Sequence, residues 1–143
     1  MIFERKKYLD ELIAGRGNGL VKIITGVRRC GKSFLLFVLW HNWLLEHGVT
    51  DSHIIEIQLD DFRNRRLRKP DALLDYIDSK VVEDGNPYYI VLDEVQLVEE
   101  FVEVILSLTH MRNVDVYVSG SNSRFLSSDV VTEFRGRGDE IRI

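Results

Sequence analysis

The sequence predicts a parallel α/β domain, and three observations predict it. Five short β-rich apolar runs recur along the chain, helix-patterned segments separate them, and three of the runs are nearly continuous in Val, Ile, Leu and Tyr. Continuously apolar strands are those covered on both faces, and strands alternating with helices argue for right-handed crossovers. The length agrees: 143 residues make one domain, taken here as 1–143, and a chain of about 150 residues buries roughly two-thirds of its unfolded surface.

In chain order, Glu4 to Ile13 reads as a helix leading into the first run, Leu20 to Thr25 (LVKIIT). Phe34 to Leu45 is apolar on most sides, which predicts a helix buried beside the sheet. The second run, Ile54 to Leu59, alternates as Ile55-Glu56-Ile57-Gln58-Leu59, the pattern of a strand near a sheet edge. Leu73, Leu74, Ile77 and Val81 form one helix stripe, opened by Pro70 and closed by Gly85-Asn86-Pro87. Tyr88 to Asp93 (YYIVLD) is the third run. Val98, Phe101, Val102, Ile105 and Leu108 make a second stripe at 3.6-residue spacing. The fourth run is Val114 to Ser119, a further helix spans roughly Ser127 to Phe134, and Asp139 to Ile143 is the fifth run.

Composition excludes several classes. With 45% hydrophobic and 29% charged residues the chain is neither disordered nor collagen-like. The longest apolar run, Phe34 to Trp40, is far short of the ~20 residues a bilayer needs. The opening Met1-Ile2-Phe3-Glu4-Arg5-Lys6-Lys7 has no apolar stretch behind its charges, unlike a secretory signal. The lone Cys30 forms no intrachain disulfide, which fits a reducing cytoplasm. Nineteen basic against 23 acidic residues give a net charge of -4, so bulk charge does not make the chain a general polyanion binder. A soluble cytoplasmic domain without membrane attachment is expected.

The strongest signal follows the first run: Gly26-Val27-Arg28-Arg29-Cys30-Gly31-Lys32-Ser33, the pattern G-x-x-x-x-G-K-[ST] called Walker A. Glycines let the backbone fold tightly, so that successive N–H groups point at phosphate oxygens. The helix that begins there, through Phe34, adds the favourable end of its dipole. Lys32 is expected on the β- and γ-phosphates, and the Ser33 hydroxyl on Mg²⁺. The alternative is a glycine turn with an incidental lysine. Arg28 and Arg29 either add positive potential at the mouth or are solvated. Cys30 sits where a thiol pKa can fall, although a tolerated small residue is the plainer reading.

The third run ends in Asp93-Glu94, a Walker B pattern. Asp93 is expected to hold Mg²⁺ beside Ser33, and Glu94 to activate water for attack on the γ-phosphate. A solvated strand exit is the alternative, and it loses weight behind a Walker A motif. The fourth run closes as Val118-Ser119-Gly120-Ser121-Asn122, where Ser121 and then Asn122 are candidates to contact the γ-phosphate or the attacking water. Arg135 and Arg137, in Phe134-Arg135-Gly136-Arg137-Gly138, are candidates to face a neighbouring subunit's nucleotide; surface arginines beside turn glycines are the alternative.

Other classes fit less well. Asp93-Glu94-Val95-Gln96 matches a helicase D-E-x-Q box, but such a motor needs two lobes. Neither an N-K-x-D base-reading motif nor an L-S-G-G-Q signature is present, against a GTPase and an ABC transporter. A small-molecule kinase usually lacks the adjacent glutamate. A nucleotide-binding switch or interaction module without efficient turnover stays open. Arg63, Arg65, Arg66, Arg68 and Lys69 form a basic run that could touch nucleic acid, with a solvated loop the favoured alternative. Trp40 and Trp43 follow helix spacing and read as core. His41, His47, His53 and His110 show no zinc-ligand spacing.

Taken together, Val21 to Ser33, Leu59-Asp60-Asp61 with Asn64, Ile90 to Gln96, Ser119 to Leu126 and Phe134 to Arg137 resemble an AAA-type P-loop ATPase domain. The nearest likeness is to prokaryotic ATPases that carry this domain N-terminally, with a second domain after it. The resemblance implies a three-layer P-loop NTPase fold with a five-stranded parallel sheet in the order 5-1-4-3-2. It also implies ATP with Mg²⁺ and sites shared between subunits of a homo-oligomer. Family members continue through a helical lid and a C-terminal domain, so the resemblance implies that this chain is an N-terminal ATPase core truncated before the lid.

Overall fold

The computed structural model describes residues 2–26, 31–121 and 138–142, with only the backbone described for 2–5, 138–140 and 142. Its elements are α1 (Ile2–Gly15), β1 (Val21–Thr25), a long helix α2 (32–46), β2 (Ile54–Gln58), α3 (Pro70–Lys80), β3 (Tyr88–Asp93), α4 (Phe101–Leu108), β4 (Val114–Gly120) and β5 (Gly138–Arg142). The strands form one sheet in the order β2-β3-β4-β1-β5, which read from the other edge is the expected 5-1-4-3-2. All four ladders are parallel.

Parallel pairing explains the sequence pattern. β1 and β3 are buried along their whole length, whereas β2, the edge strand, alternates and turns Gln58 outward. Alternate side chains of each central strand feed opposite cores. Ile90 and Leu92 join Leu73 and Ile77 of α3 and Phe101, Val104 and Ile105 of α4 on one face. Tyr89, Val91 and Tyr117 join Leu12 of α1 and Leu35, Leu36, Trp40 and Leu44 of α2 on the other. The result is three layers. Ile105 is fully buried in the first core. Ile105→Val should cost about 0.5–1.5 kcal/mol, read as a lower denaturant midpoint at an unchanged slope.

The helices depart from expectation in three places. α2 is not buried on most sides: Phe34, Val38 and Leu45 are 39%, 38% and 42% exposed. Its hydrogen-bond ladder also widens to π-helical over Leu35–Trp40, between α-helical Lys32–Phe34 and His41–Glu46. The second stripe starts late. Val98 is buried but precedes α4, and Val104 replaces Val102 among the buried positions. The basic run, expected as a solvated loop, lies mostly in a 3₁₀ helix, Phe62–Arg68, whose first turn is capped by the Asp61 carboxylate accepting from Arg63 N–H at 3.0 Å. α3 begins with Pro70, whose missing N–H costs nothing at a helix start. Among the described residues no helix is long and apolar enough to cross a membrane.

Candidate functional site

Because the sheet is parallel, the C-terminal ends of β1, β3 and β4 meet along one edge, where open α/β sheets bind ligands. β1 delivers Gly26, and the chain re-enters at Gly31, which has φ 100° and caps α2. A side chain there would meet nothing within 4 Å, so the left-handed backbone, not space, is what asks for glycine. The start of α2 then opens onto a cleft of about 750 Å³ lined by Gly31, Lys32, Ser33, Phe34, Asp60, Asp93 and Glu94. Both sequence motifs thus line one cavity.

Within the cleft the side chains are joined. Lys32 Nζ donates to the Gly26 carbonyl at 3.0 Å and lies 3.9 Å from Glu94 Oε1, with both residues about 4% exposed. Ser33 Oγ donates to Asp93 Oδ2 at 2.8 Å. Ser121 Oγ lies 2.7 Å from each Glu94 carboxylate oxygen and donates to them. Asp93 and Glu94 would point to opposite faces in a continuing strand. Here Glu94 adopts φ 56°, ψ 50°, a left-handed turn that brings both carboxylates to the same cavity.

Burial pushes the Asp93 carboxyl above its ordinary range, and the charges of Glu94 and Asp60 add to this, while the hydroxyls of Ser119 and Ser33 oppose it. Crowded carboxylates beside a hydroxyl are a hard-oxygen donor set. Among the described residues no group of three or more His, Cys, Asp and Glu side chains could hold a metal unaided. Mg²⁺ is characteristically held by one or two carboxylates together with substrate phosphates, so Ser33 and Asp93 fit that ion in a phosphate-bound state.

Of the expected site residues, Gly26, Gly31, Lys32, Ser33, Phe34, Asp93, Glu94 and Ser121 are brought together here. Val27, Arg28, Arg29, Cys30, Asn122, Arg135 and Arg137 lie outside the described residues, as does the expected helix near Ser127. Sequence reasoning gave no site role to two residues found here. Asp60 stands just beyond β2, and Ser119 is buried between the two carboxylates, accepting from Glu94 N–H at 3.0 Å and donating to Asp93 Oδ1. A serine directly after the apolar stretch Val116-Tyr117-Val118 was the available signal for the latter.

The basic run is largely occupied with its own surroundings. Arg63 pairs with Asp61 at 2.8 Å, Lys69 with Glu99 at 2.7 Å, and Arg68 Nε donates to the Leu59 carbonyl at 2.8 Å. Arg65 lies over the Phe62 ring at 4.3 Å. Trp40 is fully buried and stacks on Trp43 at 5.3 Å.

A family model described as an AAA domain matches residues 18–143. An uncharacterized protein of Haemophilus influenzae is 30% identical over 142 residues, covering 99% of this chain and 35% of that protein. The chain therefore spans about a third of that curated relative's length. Among solved structures, Drosophila ORC bound to DNA superposes with a TM-score of 0.61 at 13% identity, covering 97% of this chain and 89% of that one. PCH-2 of C. elegans gives 0.59 at 16% identity, over 96% and 38%. At such identities the likeness is one of fold.

Proposed function

The chain belongs to the AAA domain family, and from that premise we propose that it binds ATP with Mg²⁺ and hydrolyses the bond between the β- and γ-phosphates. The observation that carries this reading is the convergence of Lys32, Ser33, Asp93 and Glu94 on one cleft at the start of α2. Lys32 is already desolvated there, so its charge meets a phosphate oxygen at little further cost. Ser33 Oγ and Asp93 would hold Mg²⁺, which when bound would neutralise phosphate charge. Glu94 takes a proton from a water whose oxygen bonds to the γ-phosphorus. The bond from that phosphorus to the bridging oxygen breaks, giving ADP and inorganic phosphate. Ser121 orients the Glu94 carboxylate, and so reports on the γ-phosphate beside it.

The test is Lys32→Ala. Loss of a charge-assisted hydrogen bond to phosphate should weaken ATP binding about tenfold to a hundredfold, with an unchanged circular dichroism spectrum. Unaltered affinity in a well-folded variant would move ATP to another site.

One contact favours a second reading. Glu94 is tied to Ser121 by both carboxylate oxygens, which suits a module that binds nucleotide and changes state without efficient turnover. Binding with no phosphate release in either wild type or Glu94→Gln would select it.

A further inference from the structure

Ser119 occupies the last part of β4 and is fully buried. Burying a hydroxyl is unfavourable unless both its proton and its lone pairs find partners. The ladder between β3 and β4 pairs Leu92 with Val118. One residue on, the Ser119 side chain takes over from main-chain pairing. Its Oγ accepts the Glu94 N–H at 3.0 Å and donates its one proton to Asp93 Oδ1.

Both bonds act on the cleft. With Oδ1 engaged, the oxygen that Asp93 turns to Ser33 is Oδ2, at 2.8 Å. Anchoring its N–H also holds Glu94 in the left-handed turn, at φ 56° and ψ 50°. That conformation is unfavourable for a residue with a Cβ and persists only where its surroundings enforce it. The turn is what places the Glu94 carboxylate beside Ser121 and Lys32.

We propose that Ser119 is a positioning residue for the metal and water-activating carboxylates, a role that rests on the ATPase reading above. It selects the Asp93 oxygen offered to Mg²⁺ and fixes the backbone from which Glu94 reaches into the cleft. It touches neither substrate nor metal itself.

Three variants of the chain test this: Ser119→Ala, Ser119→Thr, which keeps the hydroxyl, and Ser119→Cys, which keeps the volume and weakens both hydrogen bonds. The readouts are affinity for a fluorescent ATP analogue in EDTA, the Mg²⁺ concentration that half-maximally tightens it, and kcat. For Ser119→Ala, affinity in EDTA should stay within about twofold, the Mg²⁺ midpoint should rise roughly tenfold and kcat should fall at least as far. Ser119→Thr should restore both to near wild type. If Ser119→Ala does not fold, Ser119→Cys should show the same Mg²⁺ shift. A wild-type Mg²⁺ midpoint in Ser119→Ala or Ser119→Cys overturns the proposal. So does an equal loss of binding with and without Mg²⁺, which marks a packing role. If wild type binds the analogue without turning it over, the Mg²⁺ midpoints alone decide. If wild type binds none, the ATPase reading itself fails and takes this role with it.

Discussion

Glu94→Gln should bind ATP as tightly as wild type and release phosphate about 10²- to 10⁴-fold more slowly, the usual range for loss of a general base. The amide matches the carboxylate in shape, so a carbonyl oxygen still accepts from Ser121 Oγ, 2.7 Å away in the wild type. The Glu94 N–H to Ser119 Oγ bond is untouched, because it belongs to the backbone. What disappears is the ability to accept a proton from water, together with a negative charge 3.9 Å from Lys32. Relief of that charge pair frees the ammonium for phosphate, so affinity should hold or improve slightly. Measured phosphate release, beside equilibrium binding, separates the two effects. A Glu94→Gln variant that hydrolyses at the wild-type rate would remove Glu94 from the chemistry.

Asp115→Ala should destabilise the fold by about 3–5 kcal/mol, the cost of stranding a buried partner charge. That is a large part of the roughly 5–15 kcal/mol that holds a domain together. Lys22 is fully buried in β1, and its Nζ lies 2.6 Å from Asp115 Oδ1 and 2.9 Å from the Leu20 carbonyl. Asp115 Oδ2 accepts from Gly17 N–H at 2.9 Å and from the Tyr117 hydroxyl at 2.6 Å. Burial, with the adjacent carboxylate, pushes the Tyr117 phenol well above its ordinary value, so it stays protonated and donates. Removing the carboxylate strands an ammonium, a phenol and an amide together. Lys22→Met combined with Asp115→Asn should recover most of the loss, since it removes the charge and leaves an acceptor for Tyr117. Thermal or urea unfolding checks both variants. An Asp115→Ala protein melting with wild type would mean that the pair contributes nothing.

Much of this was legible in the residues, because local pattern and tertiary role coincide there. LVKIIT and YYIVLD read as covered strands, and they are the strands buried from end to end. The alternation of Ile55 to Leu59 marked the edge strand. Lys32 and Ser33 of Walker A and Asp93 and Glu94 of Walker B converge because parallel strands deliver their ends to one edge. What was not legible depends on register between distant segments. Ser119 gains its partners only when β4 lies beside β3, 26 residues from Asp93 in sequence. Lys22 and Asp115 are single charges within apolar runs, and only the fold brings them together, across 93 residues. Phe34 to Leu45 looked apolar on most sides, but neighbours cover only part of α2, and the widened turn at Leu35–Trp40 has no simple periodic signature. Val98 fell on the correct stripe and yet outside the helix, since helix boundaries follow from capping and not from periodicity alone.

The most direct test of an ATP site at the start of α2 is calorimetric titration of the wild-type chain with ATP in the presence of Mg²⁺. Saturable binding of one nucleotide per chain is expected, with a melting temperature that rises with ligand concentration. Absence of saturable binding up to millimolar ATP, from a chain that melts cooperatively, would contradict it.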